Sequence, residues 1–170
     1  LGWAYWLAGR HDEATAVLGA LLEQDPEHEI ALAGLGAIHH ARKSYEEALR
    51  HLDRAVAADP EYAWAHGRRG RVHLAVGRTE QALADLDRCV ALDPAMTWAR
   101  EEAIELLLLC GRWEEAEERL AATSLPELDD SRVELHRHHG RWAQARTLAE
   151  RLREREPLVG TFQLAMTVHC

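Results

Sequence analysis

The chain has 170 residues, of which 47% are hydrophobic, and its formal net charge is −9. This length fits one ordinary domain, and the hydrophobic fraction is sufficient for a continuous core. An acidic chain repels phosphate backbones, which argues against nucleic acid as a partner. The most apolar run, residues 104–110, is too short for a membrane span of about 20 residues, so no membrane partner is expected.

The predicted elements are helices that follow one another in pairs. Apolar residues recur at helical spacing along the whole chain, and turn residues separate the apolar stretches. The pattern predicts helices over residues 1–8, 12–23, 29–42, 45–57, 63–76, 79–91, 97–110, 113–122, 128–139 and 142–154. Residues 161–170 are expected to begin a sixth pair or to cap the stack.

A 34-residue period underlies these pairs. Pro26, Pro60 and Pro94 are 34 residues apart, and each follows an aspartate. Proline disfavours helical geometry in the residue before it, so each Asp-Pro step predicts the end of a helix. Four alanines keep the same step, namely Ala14, Ala48, Ala82 and Ala116.

Glycines mark two further places in the repeat. Gly77 and Gly111 lie between the helices of a pair, where a positive φ closes the first helix. Gly36 and Gly70 fall inside predicted helices, where glycine costs about 1 kcal/mol relative to alanine. That cost is reasonable where two helices touch closely, and the repeated alanines are the expected partners at the crossing.

These residues resemble the tetratricopeptide repeat family. The resemblance rests on Leu35-Gly36, Tyr45-Glu46-Glu47-Ala48, Asp59-Pro60, Glu80-Gln81-Ala82 and Gly111-Arg112-Trp113-Glu114-Glu115-Ala116, at a fixed period. It implies an all-α fold, a right-handed superhelical solenoid of antiparallel helix pairs. The first helix of each pair would line a concave groove, and the second would lie outside.

We expect a single repeat domain over residues 1–170. Its units are residues 1–28 (partial), 29–62, 63–96, 97–125 (shortened) and 126–159 (irregular), with residues 160–170 as a cap or partial unit. The step from Ala116 to Ala145 is five residues short of the period, which predicts a clipped second helix in the fourth pair. Because the first unit is partial, the chain is expected to be an excerpt of a longer protein.

The resemblance places the partner-binding groove on the first helices. Carried over by register, the groove residues are Trp64, Arg68, Arg71, Trp98, His40, Glu101 and Glu105. Arg68 and Arg71 lie one turn apart and can face one spot. Tryptophan and arginine dominate interface hot spots. The hypothesis is that Trp64, Arg68, Arg71 and Trp98 grip an acidic or C-terminal peptide. In the alternative interpretation, the tryptophans are core residues and the arginines are a solvated surface.

The resemblance does not extend to the clamp that holds chaperone C-termini. Relatives of that type place lysines and asparagines at set groove positions, which here hold Ala33, Ala37, Gly67 and Arg71. The chain has no asparagine, and its single lysine, Lys43, falls in a turn. A chaperone-type clamp is therefore not expected.

Charge is also segregated along the chain. Residues 100–118 hold seven acids and two arginines, whereas residues 132–155 hold seven arginines and three acids. Neighbouring repeats of opposite sign attract one another weakly. An ion-sensitive docking face or head-to-tail self-association is the functional alternative.

No set of residues in the sequence predicts a disulfide, a metal site or a catalytic site. The three cysteines are odd in number and far apart, so neither a disulfide nor a zinc site is expected, and Cys89 and Cys110 are interpreted as buried thiols. His136 and His139 share a helix face but lack further ligands, so no metal is predicted. Motifs of serine hydrolases, phosphate-binding loops and zinc proteases are absent. We predict no catalytic residue, no enzyme activity and no cofactor.

The prediction is a cytoplasmic protein-interaction scaffold that holds a protein or peptide partner, since no secretory signal is visible. The alternative is a sensory or autoinhibitory segment of a larger regulator or enzyme, whose groove binds a flanking domain of the same protein. A nucleic-acid reader is disfavoured by the acidic charge.

Overall fold

The computed structural model describes residues 2–123 and 128–155, and within these ranges it consists of helices and turns without a β-strand. The helices are α1 Gly2–Leu7, α2 His11–Gln24, α3 Glu29–Ala41, α4 Tyr45–Ala58, α5 Ala63–Ala75, α6 Thr79–Leu92, α7 Thr97–Leu109, α8 Trp113–Ala121, α9 Asp129–His138 and α10 Trp142–Arg155. Each end lies within one residue of the predicted end. The predicted cap or sixth pair at residues 160–170 lies outside the described residues.

The odd-numbered helices are the first members of each pair, and the even-numbered helices are the second. Helices α2, α4 and α6 all end at an aspartate with extended backbone, at Asp25, Asp59 and Asp93. In each case a carboxylate oxygen accepts a hydrogen bond from the backbone N–H two residues later, at 3.2, 2.9 and 2.9 Å. The Asp-Pro step therefore both stops the helix and builds the turn into the next pair.

A residue with positive φ closes the first helix of each described pair. Gly9, Gly77, Gly111 and Gly140 have φ between 66° and 76°, as the family pattern leads one to expect. In the second unit Lys43 takes this place with φ 61°, a conformation that costs a side-chain-bearing residue roughly 1–2 kcal/mol.

In the first three pairs the crossing is built from a glycine and a leucine, whereas the fourth pair has Ile104 in place of the glycine. A Cβ added at Gly36 would lie 2.5 Å from Cγ of Leu52, and one at Gly70 would lie 3.1 Å from Cγ of Leu86. The repeated alanines are fully buried, but the leucine side chain is the nearest group to each of these glycines. The leucine follows the glycine by sixteen residues and keeps the 34-residue step, at Leu18, Leu52, Leu86 and Leu120.

The chain divides into two compact units, Leu1–Arg100 and Glu101–Cys170. In unit 1, α3 packs on α4 and α5, α5 packs on α6, and α1 packs on α2 and α3. In unit 2, α9 packs on α8 and α10, with a small core of Val133, Ala145, Ala149 and Leu152. Helix α8 has 9 residues, against 14 in α4 and α6.

The two described cysteines differ in environment. Cys89 is buried, as predicted, but Cys110 is exposed, so its prediction as a buried thiol was wrong. Cys110 follows the last residue of α7 and belongs to the turn, where the apolar period of the helix no longer applies. No helix in the described ranges has both the length and the apolar character of a membrane span.

Candidate functional site

Helix α5 supplies the two central cations of the predicted groove. Its sequence holds Arg68, Arg69 and Arg71. Residues three apart share a helix face, whereas adjacent residues are turned by about 100°. Arg68 and Arg71 therefore point to one side of α5, and Arg69 points to another.

Three tryptophan rings surround Arg68. Its guanidinium carbon lies 4.6 Å from the ring centroid of Trp64, 4.9 Å from that of Trp6 and 5.7 Å from that of Trp98. The guanidinium carbon of Arg71 lies 5.4 Å from the same Trp98 ring. Indole faces attract cations at these distances. We call this arrangement, Trp6, Trp64 and Trp98 around Arg68, the Arg68 cage.

The cage unites residues from three first helices of unit 1. Trp6 belongs to α1, Trp64 and Arg68 to α5, and Trp98 to the start of α7. The structure thus brings together Trp64, Arg68, Arg71 and Trp98, as the sequence predicted. The prediction missed Trp6, although Trp6 lies one 34-residue period before His40, which was predicted.

Two of the cage rings also pack against other parts of the fold and stabilise it. Trp64 is only 9% exposed, and it contacts the Trp6 ring edge-on at 6.3 Å and stacks on Tyr62 at 6.2 Å. The Trp98 ring lies against Gly67, where an added Cβ would come within 2.6 Å of Cη2 of the indole. Trp64 and Trp98 therefore have a structural role as well as a place beside the arginines.

His40 lies close enough to sense both cations. Burial, and then the positive charges of Arg71 and Arg68, lower the pKa of its imidazole. The ring packs against Tyr45, with centroids 5.9 Å apart. A lowered pKa keeps His40 neutral at neutral pH, so the charge of this face comes from the two arginines.

Charge in unit 1 is segregated by helix. The first helices α1, α3 and α5 together carry three arginines and one acid, Glu29. The second helices α2, α4 and α6 carry nine acids and three arginines. Helices α1, α3 and α5 together are therefore cationic, although the chain as a whole is acidic.

Comparison with known proteins decides the family. A family model described as tetratricopeptide repeat matches residues 5–67, 39–87 and 73–137, which is more than half of the chain. The chain belongs to the tetratricopeptide repeat family. A search of curated protein sequences found no match.

Solved tetratricopeptide repeat structures share the fold. A thermophilic member from Thermus thermophilus has 22% identity and a TM-score of 0.67, covering 100% of this chain and 96% of its own. YrrB, described as having an unusual peptide-binding site, has 21% identity and a TM-score of 0.73, covering 95% and 87%. The first such domain of Spaghetti, bound to the HSP90 peptide SRMEEVD, has 24% identity and a TM-score of 0.60, covering 65% and 87%. These likenesses support the predicted all-α solenoid.

Two predicted groove residues of this tetratricopeptide repeat chain fall in unit 2. Glu101 is half-buried and Glu105 is exposed, both on α7 beyond the unit boundary. Glu105 lines a pocket with residues of α9. The two glutamates therefore belong to unit 2, whereas the residues of the Arg68 cage belong to unit 1.

A second polar cluster joins α4, α5 and α6 and was not predicted. Arg69 donates two hydrogen bonds of 2.8 Å to Asp85 and one of 2.9 Å to Asp53. Asp85 is 6% exposed, and ring nitrogens of His66 and His73 lie 3.4 and 3.7 Å from its carboxylate. The carboxylates raise the pKa of Arg69. This cluster neutralises a buried acid and has a structural role.

The histidines of α9 are engaged with neighbouring side chains. His139 Nε2 lies 3.3 Å from Oε2 of Glu117, and the other carboxylate oxygen, Oε1, accepts a hydrogen bond of 2.7 Å from Arg141. The His138 ring stacks on Trp113 with centroids 3.8 Å apart. Within the described ranges, no three His, Cys, Asp or Glu side chains are grouped so that they could hold a metal ion.

Proposed function

We propose that this tetratricopeptide repeat chain is a protein-interaction scaffold whose first-helix face in unit 1 binds an acidic segment of a partner protein. One observation carries the proposal: three indole rings contact the Arg68 guanidinium, one of them also contacts that of Arg71, and helices α1, α3 and α5 hold a single acid. The scaffold is expected to act in the cytoplasm, without a cofactor and without catalytic residues of its own.

The physical argument concerns pre-organisation. An arginine side chain normally loses rotamer entropy when it binds, and rings that already hold it reduce that loss. The guanidinium group donates N–H groups in a planar fork that matches the geometry of a carboxylate. An extended acidic peptide can offer carboxylates at the spacing of Arg68 and Arg71, one helical turn apart.

Two of the similar proteins support a peptide as the ligand. YrrB is described as having a peptide-binding site, and the Spaghetti domain holds a peptide that contains two adjacent glutamates. Neither contributes residues to this proposal, since identities of 21% and 24% carry the fold alone. We infer that the peptide is acidic from the positive charge of the first-helix face of unit 1.

The test compares two double variants with equal charge change. Arg68→Gln/Arg71→Gln removes the cations of the face, and Arg50→Gln/Arg88→Gln removes exposed arginines of α4 and α6. Each protein is immobilised, exposed to native lysate, and its captured proteins are identified by mass spectrometry, after circular dichroism has shown equal helicity. A partner that the wild type and the control retain, and that the groove variant loses, is expected.

Equal capture by all three proteins would contradict binding at the Arg68 cage. Capture of no protein by the wild type would favour the alternative function, in which the face binds another part of the parent protein. The captured partner then supplies the peptide for affinity measurements, where the groove variant should bind about tenfold or more weakly, as expected for loss of interfacial charge pairs.

A further inference from the structure

An open pocket of 230 Å³ lies in unit 2, between the end of α7 and the first turns of α9. It is lined by Glu105, Leu108, Leu109, Asp130, Ser131 and Glu134. This pocket is separate from the Arg68 cage, all of whose residues belong to unit 1.

The pocket has an apolar side that is open to water. Leu109 is 85% exposed, against 47% for Ile30, the next most exposed large hydrophobic residue in the described ranges. Leu108 beside it is buried and forms the wall behind. Covering a largely exposed leucine at the edge of a concavity is favourable, because it removes apolar surface from water.

The rim of the pocket is acidic. Glu105 and Glu134 are exposed, Asp130 is half-buried, and no described lining residue is basic. The nearest arginine in sequence, Arg132, donates hydrogen bonds to Asp129 and to the backbone carbonyl of Thr123 and is not part of the lining. The electrostatic field of the pocket therefore favours a cation.

We propose that this pocket binds a basic amphipathic segment of a partner protein, with an apolar side chain on Leu109 and a lysine or arginine between Glu105 and Glu134. The volume suits two or three side chains and is below the roughly 300–1,000 Å³ of small-molecule sites. An acidic segment, which the Arg68 cage favours, would be repelled here. The chain would thus carry two surfaces of opposite charge preference.

The probe is a fluorescently labelled amphipathic peptide of leucine and lysine, and its leucine and glutamate counterpart is the comparison. Binding to the full chain is followed by fluorescence anisotropy. Glu105→Gln/Glu134→Gln is expected to weaken binding of the lysine peptide roughly tenfold. The control, Glu23→Gln/Glu46→Gln, changes the charge equally at exposed residues of α2 and α4 and should leave the affinity within about twofold of the wild type.

A second pair of variants tests the apolar contact. Leu109→Ser should weaken the lysine peptide severalfold, whereas Ile30→Ser, at the other most exposed hydrophobic position, should not. Both positions are exposed, so neither change is expected to unfold the chain. Equal weakening by the pocket and control variants would overturn the proposal, because it would show a general attraction to an acidic protein.

The proposal does not depend on the acidic-peptide function of unit 1. Arg68→Gln/Arg71→Gln should leave the affinity for the lysine peptide unchanged, so each surface can fail without the other. Sedimentation of the chain without peptide gives the remaining outcome. If the chain self-associates, and Glu105→Gln/Glu134→Gln abolishes the self-association, the pocket binds a second copy of the chain. That result would overturn the proposal that it binds a segment of a partner protein.

Discussion

At the scale of single residues, the glycines of the repeat separate into those that the packing requires and those that it does not. A Cβ at Gly36 would lie 2.5 Å from Leu52 Cγ, whereas a Cβ at Gly19 in α2 would meet nothing within 4 Å. Both residues lie inside helices. The same substitution should therefore have opposite effects at the two positions.

We expect Gly36→Ala to lower the free energy of unfolding by roughly 1–3 kcal/mol, because overpacking shifts Leu52 and its neighbours. Gly19→Ala should raise it by about 0.5–1 kcal/mol, because alanine loses less backbone entropy in a helix. Urea denaturation followed by circular dichroism measures both. A gain in stability from Gly36→Ala would show that the helices of the second pair can move apart without cost.

At the scale of helices, the sequence predicted the ends well because each end has a local cause. The Asp-Pro step and the positive-φ residue act within a few residues, so Asp59, Gly77 and their equivalents mark the ends without knowledge of the fold. Contacts between helices have no such local mark. Arg69 and Asp85 are 16 residues apart, and only the packing of α5 on α6 brings them together.

The sequence predicted only part of the Arg68 cage, because contacts between helices have no local mark in the sequence. Register within the repeat gave Trp64 and Trp98, which stand one period apart and both contact Arg68. Trp6 stands one period before His40, so the register was available, but the two positions hold different residue types and the tryptophan pattern did not mark it. Its contact with Arg68 emerged only from the packing of the first helices.

The cluster that joins α4, α5 and α6 provides a test at this scale. Asp85 and Asp53 bind the same arginine, but their side chains are 9% and 61% exposed. Asp85→Asn should lower the free energy of unfolding by about 3 kcal/mol, because it leaves Arg69 without its buried partner. Asp53→Asn should cost less than about 1 kcal/mol, because its pair is screened by water.

Chemical denaturation of both variants shows whether the contribution of each ion pair to stability depends on its burial or on pairing alone. The exposed Asp53 variant is the matched control, since it removes the same charge from the same arginine. Equal losses of stability would mean that burial of Asp85 does not set the strength of the cluster.

At the scale of the whole molecule, histidines in both units link stability to pH. Burial is the largest cause of the lowered pKa of five of them, namely His39, His40, His51, His73 and His136. Their ordinary pKa is 6.5. The His39 and His51 rings also stack, with centroids 5.2 Å apart, so each would carry its proton next to the other.

The sign of the effect follows from linkage. Well above pH 6.5 these histidines are neutral in both the folded and the unfolded chain, and their contribution to stability is complete. As the pH approaches and passes below that value, the unfolded chain takes up protons first, so unfolding becomes easier. The acids with lowered pKa, such as Glu115 and Glu117, titrate below their ordinary value of 4.5 and leave this window clear.

We therefore expect the free energy of unfolding to fall steadily between about pH 7 and pH 5, with a slope set by the number of histidines whose pKa is lowered in the folded chain. Urea denaturation across this range measures the slope. His39→Gln/His51→Gln should make it shallower without removing it, because His40, His73 and His136 still titrate. If the double variant leaves the slope unchanged, groups other than His39 and His51 take up the protons. If stability rises as the pH falls, burial does not lower the pKa of these histidines as assigned.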